Sequence, residues 1–355
     1  MQNELFLRHR KRERRKILAL LIMGCLVVLG CLFIVGLGVI KIPPREIVSL
    51  LLSVFQTGGG SAAGIDEVHR AVILDIRLPR IMVAVIVGAG LASAGAVLQG
   101  LLMNPLADPY TLGVSTGAAF GATLAIFFGV SLPGDLGVLT TSLFALAGAL
   151  AAMGAVYGIA SFHGTLAVTN LILAGVIISA ILSAAISFLK SLAGEGVSSI
   201  VFWLMGSFAS RGWSHVLLCL PPVLVGMVVC CYYADDLNIL SLGVRSARQL
   251  GVNDKLVVTV LLVTASLITA ACVSVAGIIG FVGLIVPHLM RMLVGPDHRV
   301  LIPLSALGGA LLLTAADAMA KNLLSAEVPV GVLTTLLGGP FFCYIFRLKA
   351  KKQVY

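Results

Sequence analysis

Eight predominantly apolar stretches of this chain run for 17 residues or more without a single Asp, Glu, Lys or Arg, and they dictate what it can fold into. They cover Ile17 to Ile40, Ile81 to Ala107, Pro109 to Gly134, Leu136 to Leu189, Gly212 to Ala234, Leu256 to Met290, Val300 to Ala316 and Val328 to Phe346. Lipid offers no water to a bare peptide group. Runs of about 20 apolar residues are therefore read as helices that satisfy their own backbone while crossing a bilayer. Composition agrees: 59% of residues are hydrophobic and 11% charged, against roughly 25% charged in an ordinary soluble domain. The fold class is all-α, a polytopic membrane protein.

Leu136 to Leu189 holds two spans broken around Ser161 to Gly164, and Leu256 to Met290 holds two if it folds back near Gly277 to Gly280. The total is then ten. Parity supports the fold-back. Seven Lys or Arg lie between Arg8 and Lys16, and Arg347, Lys349, Lys351 and Lys352 close the chain. If both basic tails are cytoplasmic, the number of spans is even. This arrangement puts 16 of the 24 Lys and Arg inside, including those in the expected internal segments at 103–110, 161–166, 234–255 and 291–299. Lys190 and Arg211 fall in an expected outer loop. The chain thus divides into a basic tail at 1–16, one membrane domain at 17–347 with a polar internal segment at 235–255, and a second basic tail at 348–355.

The net charge of +9 is read as topology and contact with anionic lipid headgroups. Nucleic acid is excluded as a partner, because no basic surface interleaved with aromatics lies outside the spans. The first apolar run is too long for a signal-peptide core of about 7–15 residues and is read as a retained span. Cys25, Cys31, Cys219, Cys230, Cys231, Cys272 and Cys343 all fall in apolar segments without a CxxC, where cysteine acts as a small apolar residue. The six histidines show no paired ligand spacing, so no metal site is expected. Gln56 to Gly64 reads as a flexible loop, and 42–55 before it as a short surface helix.

Small residues recur at four-residue spacing, as Gly88, Ala92, Ala96 and Gly100 and as Gly113, Gly117 and Gly121. Each set lies on one helix face and predicts close backbone approach between helices. Gly113 to Gly117 also matches G-x-S-x-G, but a nucleophile elbow needs a strand before the serine, and an apolar helix is expected at Ser115 instead. No G-x-x-x-x-G-K-[ST] occurs, so the chain has no phosphate-cradling loop of its own. Asp317 lies four residues before Lys321, a spacing that allows an i,i+4 ion pair. Asn104 and Asp108 are expected to cap helix ends at the 103–110 turn.

Motifs along the chain carry a resemblance. They are the run from Arg77 to Gly121 with Asn104-Pro105-Leu106-Ala107-Asp108-Pro109, then Trp203 to Phe208, Leu242 to Gly251, Gly280 to His288, Asp297-His298-Arg299, Ala316-Asp317, and Val328 to Gly331 with Leu337 to Pro340. From about Arg77 to Arg347 the chain resembles the permease subunits of type II ABC importers, the FecCD family, which take up iron-siderophores, haem or cobalamin. The resemblance implies ten helices per subunit and a partner permease subunit, with a homodimer preferred. It also implies two separate ATPase subunits that bind ATP and Mg, and an extracytoplasmic binding protein. No catalytic residue and no bound cofactor are expected on this chain.

By the same resemblance, Leu242, Gly243, Arg245, Ala247, Arg248, Leu250 and Gly251 form a coupling segment against the ATPase. Arg77 and Lys321 dock the binding protein, with lysine standing where relatives usually carry arginine. His163, Val168, Thr169 and Asn170 form a gate at the cytoplasmic end, Asn170 replacing a frequent arginine. The implied location is the cytoplasmic (inner) membrane, multi-pass, with both termini inside. An ion-coupled secondary transporter built from repeats is the alternative.

Overall fold

The computed structural model describes residues 2–38, 40–43, 45–50, 66–161, 168–322 and 327–353. His163 and the Gln56 to Gly64 loop lie outside the described residues. All regular structure in the described residues is helical. Seven helices are long and apolar enough to cross a membrane, and three shorter apolar helices accompany them. The expected ten are present, but three of them are not full spans.

In chain order the helices are α1 (Gln2–Gly36), α2 (Glu67–Leu101), α3 (Val114–Phe127), α4 (Thr140–Ala160), α5 (Val168–Leu192), α6 (Val197–Leu204) and α7 (Trp213–Tyr232). There follow α8 (Ala234–Leu240), α9 (Val244–Gln249), α10 (Asp254–Ala276), α11 (Val282–Val294), α12 (His298–Asn322) and α13 (Val330–Gln353). α1 begins at Gln2 and α13 continues to Gln353, so the backbone is helical into both basic tails. A helical piece at 45–50 packs Ile47 and Leu50 with Val35, Ile73 and Ile81 in a small satellite cluster.

α2 is the central post, and α12, α10, α11 and α7 pack around it. Its small residues permit this. A Cβ on Gly88 would overlap the Gly309 carbonyl of α12, one on Gly95 would overlap Gly283 of α11, and one on Gly100 would meet the His298 ring. Gly117 and Gly121 bring α3 onto Gly148, Ala149 and Phe144 of α4 in the same way. Backbones at this separation exchange dispersion contacts that lipid tails cannot match in density.

The start of α2 shows how local sequence shapes a bend. Asp66 caps it by accepting from the Val68 amide, and residues Val72–Arg77 wind as a π-turn. In that wider register the Leu74 carbonyl faces Pro79, which has no N–H to give. Trp213 fills the gap, its indole N–H donating to Leu74 O at 2.9 Å.

Two departures from the sequence reading concern depth. The 103–110 segment is an exposed turn at 103–106 that then leads into the bundle. After Asn104 and Asp108 make their capping turns, Pro109–Leu112 forms a buried 3-10 turn ending at left-handed Gly113, which packs on Gly175 of α5. α3 is therefore 14 residues long rather than a full span. The stretch between α5 and α7, read as an outer loop, folds into α6 and returns toward the bundle.

The break between α10 and α11 sits at Gly277, with φ at 73°, and confirms the fold-back. Its exposed peptide groups find partners across the bundle. Tyr110 donates its hydroxyl to Ile279 O at 2.6 Å and accepts from Ile279 N at 3.2 Å. Gln99 donates to the Gly283 and Leu284 carbonyls at 3.3 and 3.1 Å. Ser207 N donates to Ala276 O, and Gly331 N to Gly206 O. Tyr110→Phe strands both polar groups of Ile279. Equilibrium unfolding in mixed micelles should show a loss of about 1–3 kcal/mol, and an unchanged transition would count against the bridge.

Candidate functional site

At one end of the bundle the chain leaves the apolar helices and builds a small projecting element. α8 is anchored by buried Ala234, Leu237 and Leu240. Gly243 and Gly251 then bracket α9 with φ at 106° and 85°, a region open to glycine at no steric cost. Ala247 is the buried foot of α9, and Val252 N donates back to its carbonyl. The opposite face is bared: Leu242 is 69% and Leu250 63% exposed, with Val244, Arg245 and Arg248 beside them. Apolar side chains held outward on a polar end of a protein mark a surface made to be covered.

Six of the expected coupling residues thus lie on or around one short helix, and Ala247 supports them from below. Arg248 is not free. It grips Asp254, the first residue of α10, through Nε and Nη2 at 2.8 and 2.9 Å, and Asn253 caps α10 by accepting from Leu256 N.

Close by, Asp297 ties three helices together. Lys16 Nζ of α1 reaches it at 2.9 Å, Asn238 Nδ2 of α8 at 3.0 Å and Arg299 Nε of α12 at 3.1 Å. Asn238 Oδ1 in turn accepts from His298 N at 2.9 Å. Burial alone would raise the Asp297 carboxyl. Donors from Arg299, Lys16 and Asn238 outweigh it and hold the group below the usual carboxylate range. A depressed carboxylate stabilises the fold above its unfolded pKa, and the contribution is lost as pH falls through the folded value. At neutral pH the full contribution is present.

The other end carries the expected docking pair. Arg77 and Lys321 line one small crevice with Arg80 and Asp317. Arg77 itself is 5% exposed and donates to the Val35 and Ile40 carbonyls at 2.7 and 2.6 Å. It closes the end of α1 instead of presenting a charge outward. Asp317 does not pair with Lys321 as expected, since Arg80 takes it in a bidentate fork at 2.8 and 2.9 Å and also reaches Glu327 at 3.1 Å. A guanidinium matches both carboxylate oxygens, which an ammonium cannot do.

Of the expected gate residues, Val168, Thr169 and Asn170 form the first turn of α5, where Thr169 and Asn170 are exposed. Ser115 is buried in the first turn of α3, after a 3-10 turn and with no strand before it. That removes the geometry a nucleophile elbow needs. Among the described residues no group of three or more His, Cys, Asp or Glu converges on a point that could hold a metal ion. Sequence reading missed Gln99, Tyr110 and α6. A lone amide and a Pro-Tyr pair within apolar runs were the only signals available.

The described residues thus form a bundle of long apolar helices that carries an exposed, glycine-bracketed helix at one end. The sequence model of the FecCD transport family matches residues 25–348. The chain belongs to that family, the permease subunits of ABC importers, and does not itself catalyse a reaction. The cobalamin import system permease protein BtuC of Halobacterium salinarum is 46% identical over 284 residues, covering 80% of this chain and 75% of its own length. The molybdate import system permease protein MolB of Haemophilus influenzae is 42% identical over 293 residues, covering 81% and 85%. A solved inward-facing structure of a metal-chelate type ABC transporter aligns with a TM-score of 0.79 at 37% identity, over 92% of this chain and 98% of its own.

Two outcomes test the local geometry. Arg248→Glu should speed amide exchange across residues 244–254 by about fivefold at most, the scale of an exposed ion pair, and adding Asp254→Arg should restore it. Asp297→Asn at neutral pH should speed exchange in the α1 segment around Lys16, while an unchanged rate would show that the carboxylate does not hold α1.

Proposed function

We propose that this permease passes an iron chelate (a ferric siderophore or haem) or cobalamin inward across the cytoplasmic membrane. Two ATPase subunits dock on α9 through Leu242, Val244, Arg245 and Leu250 and carry the ATP and Mg. A second copy of this chain completes the pathway. An extracytoplasmic binding protein delivers cargo at the end that carries Lys321, and both termini are cytoplasmic. The reading is supported above all by α9, whose apolar side chains stand uncovered between two glycines. The names of relatives span cobalamin and molybdate import, which widens the cargo class to small metal-centred molecules and oxyanions.

Docking now rests on Lys321 more than on Arg77, because Arg77 would have to release two α1 carbonyls to face outward. Val168, Thr169 and Asn170, with His163, gate the cytoplasmic end of the pathway in this reading. The competing ion-coupled carrier needs a carboxylate free to take and release a proton. Asp317, the carboxylate within α12, is held by Arg80 on both oxygens.

Reconstituted vesicles supplied with the ATPase and the binding protein should accumulate labelled cobalamin, ferric siderophore, haem or molybdate only when ATP is present. Accumulation driven by an ion gradient with no ATPase would overturn the reading.

A further inference from the structure

At the end of the bundle opposite α9, a cavity of about 460 Å³ opens between α3, α4 and α6. Thr141 and Ser142 of α4, Ser198, Ser199 and Trp203 of α6, and Arg211 beyond it line the space. No carboxylate does. Two strong donors are left without acceptors: Arg211 Nε and the Trp203 indole Nε1 are both buried and make no hydrogen bond. Arg211 Nη1 lies 3.4 Å from His215 Nε2 and Gly212 N lies 3.3 Å from His215 Nδ1, and a neutral imidazole accepts only one of these two bonds. Neither contact involves Arg211 Nε, which stays without a partner.

Arg211 forms no ion pair with the described residues. Burial pushes its guanidinium down to about 10, which leaves it charged at neutral pH. A buried cation with no counter-charge is strongly destabilising unless something supplies one. The surroundings match a specific chemistry. A planar guanidinium fork, an indole N–H and several hydroxyls can together donate to two or three oxygens carrying negative charge.

We propose that this pocket is a binding site for a carboxylate or similar small oxyanion, held by Arg211 and Trp203, and that the cargo itself brings this group. The second half of the statement rests on the importer reading, and the first does not. It narrows the cargo to chelates that carry a free anionic oxygen group. Arg211, placed by the sequence in an outer loop, lines this pocket.

Citrate is a suitable probe, and its trimethyl ester is the uncharged control. The chain contains two tryptophans, so Trp213→Phe leaves Trp203 as its only tryptophan, excited selectively at the red edge of indole absorption. In the full-length protein in lipid nanodiscs, citrate should change Trp203 emission saturably and the ester should not. Because Trp213 braces α2, the same titration by calorimetry on the unmodified chain provides a second measurement. Arg211→Gln should weaken citrate binding about tenfold or more, and Arg211→Lys should weaken it less. No saturable response, an equal response to the ester, or unchanged affinity in Arg211→Gln would overturn the pocket assignment. Intact citrate binding without ATP-driven uptake would instead sink the importer reading and leave the pocket standing. Uptake of only uncharged cargo would reject the cargo as the source of the oxyanion.

Discussion

A peptide group within a bilayer must find a partner in the protein, and this constraint governs the architecture more than side-chain hydrophobicity does. Three places in the chain break helix inside the bundle: the turn before α3, the return through α6, and the gap between α10 and α11. Each break exposes amides and carbonyls, and the breaks are arranged to satisfy one another. Tyr110 from the first reaches Ile279 in the third, while Ser207 beyond α6 donates to Ala276. Gln99, the one buried amide of α2 to do so, secures the start of α11. Remove the mutual pairing and none of the three interruptions could persist at that depth.

Much of this was legible in the sequence, for a physical reason. Uncharged length is decisive for a membrane helix, so the long spans and the fold-back at Gly277 followed directly. The spacing of Gly88 and Ala92 likewise announced a face, and that face receives Gly309. What escaped was depth. Nothing in the composition of Pro109 to Gly134 distinguishes a full crossing from a turn plus a 14-residue helix, because both are equally apolar. α6 was hidden for the opposite reason, since its eight residues are too few to register as a span. Site residues were legible where they are local, as in Leu242 to Gly251. They were misread where they depend on a partner far away, as when Asp317 chose Arg80 from α2 over its own neighbour Lys321.

The two ends of the bundle treat charge differently. Around Asp297, three helices meet on one carboxylate, with α1 among them, so the long first helix is fastened to the elements that lead into α9. At the far end, guanidinium groups dominate. Arg80 neutralises Asp317, Arg77 donates to backbone carbonyls, and Arg211 keeps a buried Nε without an acceptor.

The grip of Arg248 on Asp254 has a mechanical meaning. It splices a two-turn helix to the foot of a 23-residue one, a rod of roughly 35 Å at 1.5 Å per residue. The rod's far tip is the Gly277 hinge, a few bonds from Ile279 and its tyrosine clasp. A nudge delivered to the small helix would therefore reach the shaft through this ion pair and the four-residue link at 250–253, and travel along it to the joint where the interruptions meet.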